Sequence, residues 1–315
     1  MAKRKLGASD LSFEPIAFGG NVFGWTADEA TSFSLIDRFV ERGFAFIDTA
    51  DVYSIWVPGH KGGESETIIG KWLKRGGARD KILIATKVGM DMQAGGKGLS
   101  KKHILASVDA SLKRLNTDYI DLYQAHADDA SVPLEETMEA FAGLVASGKV
   151  RALGASNYEA PRLAEALAVS KAKGLPRYVS LQPHYNLADR HLFEGALQDL
   201  CVAEGIGVIP YYSLASGFLS GKYRKLEDLA GRARERGASP YLNERGLNLL
   251  AAIDKVAAAQ GATTAQIALA WLLAQPAITA PIVSATNLAQ LDEILDSTKI
   301  TLTPEALASL AKASG

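Results

Sequence analysis

KILIATKVGMDMQAGGKGLSKKHILASVDASLKRLNTDYIDLYQAH, residues 81–126, holds one complete unit of the pattern that runs through the chain. KILIATKV (81–88) and YIDLYQAH (119–126) are short apolar runs rich in β-branched and aromatic residues, as buried strands are. Between them, residues 100–115 place apolar side chains three and four apart, the spacing of an amphipathic helix. Strand, helix, strand in this order predicts a parallel pair joined by a right-handed crossover. Yet the two runs carry ionisable residues at their ends, Lys87 and His126, where a strand covered on both faces should stay apolar.

The unit recurs in both directions. Strand-like runs AFGG (17–20), FAFIDTA (44–50), VRALGAS (150–156), YVSLQPHY (178–185), GVIPYYS (207–213) and APIVSA (280–285) bring the number to eight. Helical periodicity fills 28–42, 64–75, 134–147, 159–173, 191–204, 243–274 (two helices) and 287–297. Eight units predict an α/β fold closed into a (β/α)8 TIM barrel, with residues 1–315 as a single domain, because closure leaves no edge strand. KRKLGASDLSFEP (3–15), with Gly7, Ser9 and Asp10 as turn residues, predicts an N-terminal β-hairpin that plugs the barrel bottom. The polar segment 223–242 is expected to be a long loop after strand 7 without clear structure, the kind of segment that serves as a lid or binding loop.

An open doubly wound sheet would carry a Gly-rich turn after its first strand, and AFGGNVFG has the wrong spacing. SGFLSGKY (216–223) is no phosphate loop either: three residues separate Gly217 from Gly221 where four are needed, and Tyr223 follows the lysine. The 315 residues are 48% hydrophobic and 22% charged, which excludes a disordered or fibrous chain. A formal charge of −1 supplies no overall field for nucleic acid or an anionic membrane, so the expected partner is a small molecule. MAKRK opens like a signal peptide, but no apolar run of the required length follows, and no run of about 18 apolar residues occurs anywhere. The single cysteine, Cys201, fits a reducing compartment and a place in the core, so a cytoplasmic location is expected. No spaced ligand set surrounds His60 or His184, so no metal is expected.

Charges at strand ends carry the functional signal, because a barrel assembles its site at the carboxyl ends of its strands. Asp48 ends the second strand and Tyr53 follows in the loop; Lys87 ends the third and His126 the fourth. A lone buried charge costs several kcal/mol, so Asp48 and Lys87 are expected to pair. A cationic lysine beside a phenol is expected to favour the phenolate and draw the tyrosine down from its reference pKa near 10, so that Tyr53 donates a proton to a carbonyl oxygen as hydride reaches its carbon. His126 then orients the carbonyl or shares the proton.

DTADVY (48–53), ATK (85–87), DLYQAH (121–126), GASNY (154–158), LQPHYN (181–186) and PYYSLASGFLSGKY (210–223) together resemble the aldo-keto reductase family over essentially the whole chain, on its bacterial and potassium-channel-β-subunit side. The resemblance implies a (β/α)8 barrel that binds NADP(H), with NAD(H) possible, and reduces aldehydes or ketones reversibly, with Tyr53 as general acid and Asp48, Lys87 and His126 completing the tetrad. It implies Ser156, Asn157 and Gln182 for the nicotinamide carboxamide and Tyr211 for stacking on the ring. Residues 213–222, including Ser213, Leu214, Ser216, Gly217 and Lys222, are implied to cover the pyrophosphate. SATNLAQLDEIL (284–295) resembles the closing cofactor motif, with Ser284, Thr286, Gln290 and Glu293 around the adenosine. Ser284 stands where the family often has Gly or Lys, Ile294 replaces an expected Asn, and Tyr212-Ser213 replaces Ser-Pro.

Trp25, Trp56 and Tyr212 are expected to wall an apolar substrate pocket above Tyr53, although Trp56 also reads as an interface residue. Two other functions remain open at this stage: a cofactor-holding redox sensor or docking protein, and a Schiff-base lyase acting through Lys87.

Overall fold

Hairpin first, barrel second, is the order in which the chain is laid down. A computed structural model describes residues 2–315. Strands β1 (Arg4–Lys5) and β2 (Ser12–Phe13) pair antiparallel. Eight parallel strands follow: β3 (Ala17–Gly19), β4 (Phe46–Asp48), β5 (Leu83–Val88), β6 (Ile120–Ala125), β7 (Val150–Ser156), β8 (Tyr178–Gln182), β9 (Gly207–Val208) and β10 (Ile282–Val283). From β3 to β9 each strand pairs with the next in sequence, and β10 pairs back onto β3. Backbone bonds join the remaining gap: Thr279 N donates to Val208 O at 2.8 Å and Ile282 N to Pro210 O at 2.9 Å. The result is the predicted (β/α)8 barrel.

The predicted strand runs are longer than the observed ladders at several ends. β9 stops at Val208 although apolar residues continue, and Pro210, which has no N–H to donate, follows two residues later. Helices α1 (Glu29–Glu41), α2 (Glu64–Lys74), α3 (Lys101–Leu115), α4 (Leu134–Ala146), α5 (Ala160–Lys173) and α6 (Ala196–Ala203) cover the sheet within the segments predicted for them. The 243–274 segment is two helices, as expected, and the short 3₁₀-rich stretch upstream of them contains α7 (Glu235–Ala238). α8 (Glu244–Gln260) ends at Gly261 with φ 62°, and α9 (Thr264–Leu273) opens on a Thr263–Gln266 capping box. α10 (Leu288–Asp296) follows β10, and α11 (Pro304–Ser314), absent from the sequence reading, closes the chain with Thr303 as its cap. The 223–242 segment corrects the expectation of an unstructured loop: short 3₁₀ turns at Leu226–Leu229 and Ser239–Tyr241 flank α7. Among the described residues no single helix is long and apolar enough to cross a membrane.

Two cores result. One lies between strands and helices; the other fills the barrel interior, where Leu6, Leu11 and Phe13 of the hairpin meet Ala17, Phe46, Ala85, Leu122, Ala152 and Ile209. Phe13 stacks on Phe46 with centroids 4.3 Å apart, so the hairpin does plug the bottom. Gly7, at φ 53°, lets the hairpin close: a Cβ there would stand 2.1 Å from Val179 O. Cys201 is buried, and burial pushes its thiol up to about 12, in keeping with an inert core position.

The interior layer decides where the site forms. Successive side chains on a strand face opposite ways, so Phe46, Ala85 and Leu122 share their face with Asp48, Lys87 and Gln124 two residues later. The apolar layer thus ends one step below a polar one, on the side where the strands deliver their carboxyl ends.

Candidate active site

Asp48, Lys87 and Tyr53 meet as the strand-end reading requires. Lys87 is fully buried and its Nζ donates to Asp48 Oδ2 at 2.7 Å, to Thr49 O at 2.8 Å and to the Tyr53 hydroxyl at 2.8 Å. An ammonium has three donors, and all three are used. The Tyr53 hydroxyl therefore accepts from Lys87, and its own proton has only a long contact of 3.4 Å to Asp48 Oδ2. Asp48 Oδ1 accepts from Gln182 Nε2 at 2.9 Å and from Gln124 Nε2 at 3.2 Å. Gln124 was missed by the sequence reading, although its place between apolar residues in DLYQAH, directly beside Lys87 in the sheet, was the available signal.

One expectation is corrected. The Tyr53 phenol is raised well above 10, by burial first and then by Asp48, instead of being lowered by Lys87. Burial of the phenol is the main reason, and Asp48, which stands close to both groups, adds to it, so the ammonium does not act on the phenol as an isolated cation. Burial pulls Lys87 below its usual 10.5, with Asp48 opposing. His126 packs edge-on to Tyr53 with centroids 6.0 Å apart, and burial together with Lys87 holds its imidazole well below 6.5, in the neutral form. Its buried Nδ1 has no partner among the described residues.

Of these groups Tyr53, His126 and Gln182 line a cleft of about 540 Å³. Ser156, Asn157, Gln182 and Tyr211 line it, as do Ser213, Leu214, Ser216, Gly217 and Lys222 and also Ser284, Thr286, Gln290 and Glu293. Several of these side chains are less free than expected. Asn157 uses both amide hydrogens on the protein, to His126 O at 2.9 Å and Ser156 Oγ at 3.0 Å, while its Oδ1 accepts from Tyr211 OH at 2.7 Å. Gln182 Nε2 is committed to Asp48 and Gln124, which leaves its carbonyl oxygen as the group that can face a ligand. Gly217 N donates to Leu214 O and Ala215 N to Tyr212 O, so those two amides are spent within the turn. Ala215, Ser216 and Gly217 form a left-handed run at φ 48°, 56° and 92°, which for the two non-glycines costs roughly 1–2 kcal/mol each. Strain of this kind concentrates at functional turns.

Trp56 and Tyr212, each about half exposed, form the rim as expected. Trp25 is corrected: it does not line the cleft but stands edge-on to Trp56 with centroids 5.6 Å apart, while Trp56 faces Tyr53 at 6.2 Å. Asn21, Met90 and Arg234 also line the cleft and were not anticipated. They lie on the loops that follow the strands, where periodicity carries no information about direction.

A buried carboxylate and ammonium meet a half-buried phenol at the carboxyl end of a parallel barrel, beside a cleft of about 540 Å³. The aldo/keto reductase family model matches residues 15–314. An uncharacterized oxidoreductase, YrpG, of Bacillus subtilis is 35% identical over 97% of this chain and 93% of its own length. L-glyceraldehyde 3-phosphate reductase of Escherichia coli O157:H7 is 33% identical over 98% of this chain and 91% of its own. A probable voltage-gated potassium channel subunit beta of Arabidopsis thaliana is 32% identical over 98% and 94%. The chain belongs to the aldo/keto reductase family. It is thereby an oxidoreductase, and carbonyl reduction is the general chemistry that membership supports.

Proposed function

We propose that the chain is an NADPH-dependent carbonyl reductase, working reversibly on aldehydes or ketones, with Tyr53 as general acid. The observation that carries this reading is the Tyr53 hydroxyl held 2.8 Å from an ammonium that is itself paired with Asp48 at 2.7 Å, with Tyr53 lining the cleft. The residues present suit a dinucleotide: an acceptor at Gln182, a cation at Lys222, and the pair Thr286 and Gln290, in which Thr286 N and Oγ1 contact Gln290 Oε1 at 3.0 and 3.1 Å. A nicotinamide held by these residues would supply the hydride for the carbonyl carbon.

Tyr53 starts as a protonated phenol, the state an acid must begin in. As negative charge grows on the carbonyl oxygen, the phenol gives up its proton, and the hydrogen bond already donated by Lys87 stabilises the oxygen left behind. Asp48 holds Lys87 in place, and Gln124 and Gln182 hold Asp48. Neutral His126 can donate its ring N–H to the carbonyl oxygen without adding a competing charge. Trp56, Tyr212 and Met90 present an apolar rim suited to aromatic or extended carbonyl compounds.

Spectrophotometric screening of NADPH oxidation over aldehydes, ketones and sugars tests the reading, with native protein against Tyr53→Phe. The variant should bind NADPH normally and lose reduction by about 10²–10⁴-fold. A variant as active as the parent removes Tyr53 from the chemistry, and equal affinity for NADH removes the preference for NADPH. Similarity to the channel subunit supports a second reading, a cofactor-holding redox sensor; slow turnover of every carbonyl with tight NADPH binding would favour it. A Schiff-base lyase needs Lys87 as a free amine, whereas its three hydrogen bonds suit an ammonium.

A further inference from the structure

Arg234 is the cation that the chemistry above leaves unused. It lines the cleft from the segment leading into α7, and its backbone oxygen accepts from Gly237 N at 3.1 Å and Ala238 N at 3.0 Å, so its position is set by an ordered turn. The side chain is half-buried, and its guanidinium lies over the face of Trp25, 5.7 Å from the ring centroid. Among the described residues no carboxylate or carbonyl accepts a hydrogen bond from its side chain; burial pulls it below its usual 12.5, with the Tyr212 and Tyr223 phenols opposing. Every other half-buried arginine among the described residues has an acceptor, as Arg79 has Asp121, Arg114 has Glu66 and Arg190 has Glu194. A guanidinium has five donors and no acceptor capacity, so a half-desolvated one without a partner is matched to an anion that arrives from outside.

Which anion follows from position. Arg234 covers Trp25, Trp25 abuts Trp56, and Trp56 abuts Tyr53, so a chain of aromatic contacts links the guanidinium to the phenol, and Arg234, Trp56 and Tyr53 all line the same cleft. Lys222, by contrast, lies against the left-handed turn at Gly217, in the stretch assigned above to the cofactor. Among the described residues the only acid lining the cleft is Glu293, one of the residues assigned above to the adenosine, so no carboxylate beside Arg234 repels an incoming anion. We propose that Arg234 binds an oxyanion, phosphate or carboxylate, carried by the carbonyl substrate, so that anionic aldehydes or ketones are preferred. The inference rests on the carbonyl-reductase reading and narrows its substrate class.

The test compares native protein with Arg234→Met, which keeps an apolar stem against Trp25. With NADPH, kcat/KM is measured for 4-carboxybenzaldehyde against benzaldehyde and for glyceraldehyde 3-phosphate against glyceraldehyde. The charged-to-neutral ratio should fall about 10- to 100-fold in at least one pair, the value of a charge-assisted hydrogen bond, and the responding pair identifies the oxyanion. An unchanged ratio in both pairs overturns the proposal. So does weaker NADPH binding, read by nicotinamide fluorescence, with both ratios unchanged; Arg234 would then serve the cofactor. If the native protein reduces no carbonyl, the functional reading fails separately. Saturable quenching of tryptophan fluorescence by 4-carboxybenzoate or glycerol 3-phosphate, present in the native protein and lost in Arg234→Met, would still uphold the anion site; its absence in the native protein would sink it.

Discussion

Replacing Asp48 by asparagine strips the buried ammonium of the carboxylate it is hydrogen-bonded to while nearly preserving shape. Lys87 is fully buried and Asp48 almost so, with 2.7 Å between Nζ and Oδ2. Breaking a buried pair by removing one partner costs about 3–5 kcal/mol, because the remaining charge is uncompensated. Thr49 O and the Tyr53 hydroxyl still accept from Lys87, so the lower end, about 3 kcal/mol at neutral pH, is expected. The pH dependence provides a second check. Burial already holds Lys87 below 10.5 with Asp48 opposing, so the substitution lowers the folded value further while the unfolded value stays near 10.5. Between those values the unfolded chain binds a proton that the native state lacks, and stability rises with pH. The deficit of Asp48→Asn should therefore shrink as urea unfolding is repeated at increasing pH from neutral towards 10. A loss under about 1 kcal/mol at neutral pH, or one that does not change with pH, would refute the claim that Asp48 offsets a buried Lys87 charge.

Three further outcomes are expected. Asp51 is buried with Oδ1 unpartnered, and burial, then Glu66, pushes its carboxyl up to about 7 from 3.8; its stabilising effect is full below 3.8 and lost as pH rises through about 7. Asp51→Asn should thus gain on the native protein by on the order of 2 kcal/mol from mildly acidic to mildly alkaline pH, and a pH-independent difference in urea midpoints would contradict this. His126 is held neutral, so the unfolded state takes up its proton first and stability falls as pH drops below 6.5; the kcat/KM profile for carbonyl reduction should show no limb near 6.5 that disappears in His126→Gln. Gly7→Ala forces a Cβ to within 2.1 Å of Val179 O at φ 53° and should cost about 1–3 kcal/mol in chemical denaturation; a loss within error would show that the hairpin shifts without penalty.

The barrel was legible in the sequence because its cause is local. A strand covered on both faces must be apolar along its length and a covering helix must be apolar every three to four residues, so eight repeats of that alternation announce the architecture. Asp48, Lys87 and His126 stood out for the same reason: each breaks an apolar run at its end, where only a site explains the cost of burial. The rest depended on directions and distances that periodicity does not contain. The sign of the Tyr53 shift came from burial and from the closeness of Asp48, which no spacing reveals. Gln124 and Gln182 became supports of Asp48 only once closure placed β6 and β8 across the interior from β4. Arg234 and Trp25 are 209 positions apart and meet only through the fold, by a loop whose polar composition gave no hint that it is ordered. Chain-local rules determined which residues would be buried and which charges were out of place; only tertiary closure decided who their partners are, because Coulombic and hydrogen-bond energies fall off with distance in space and take no account of separation along the chain.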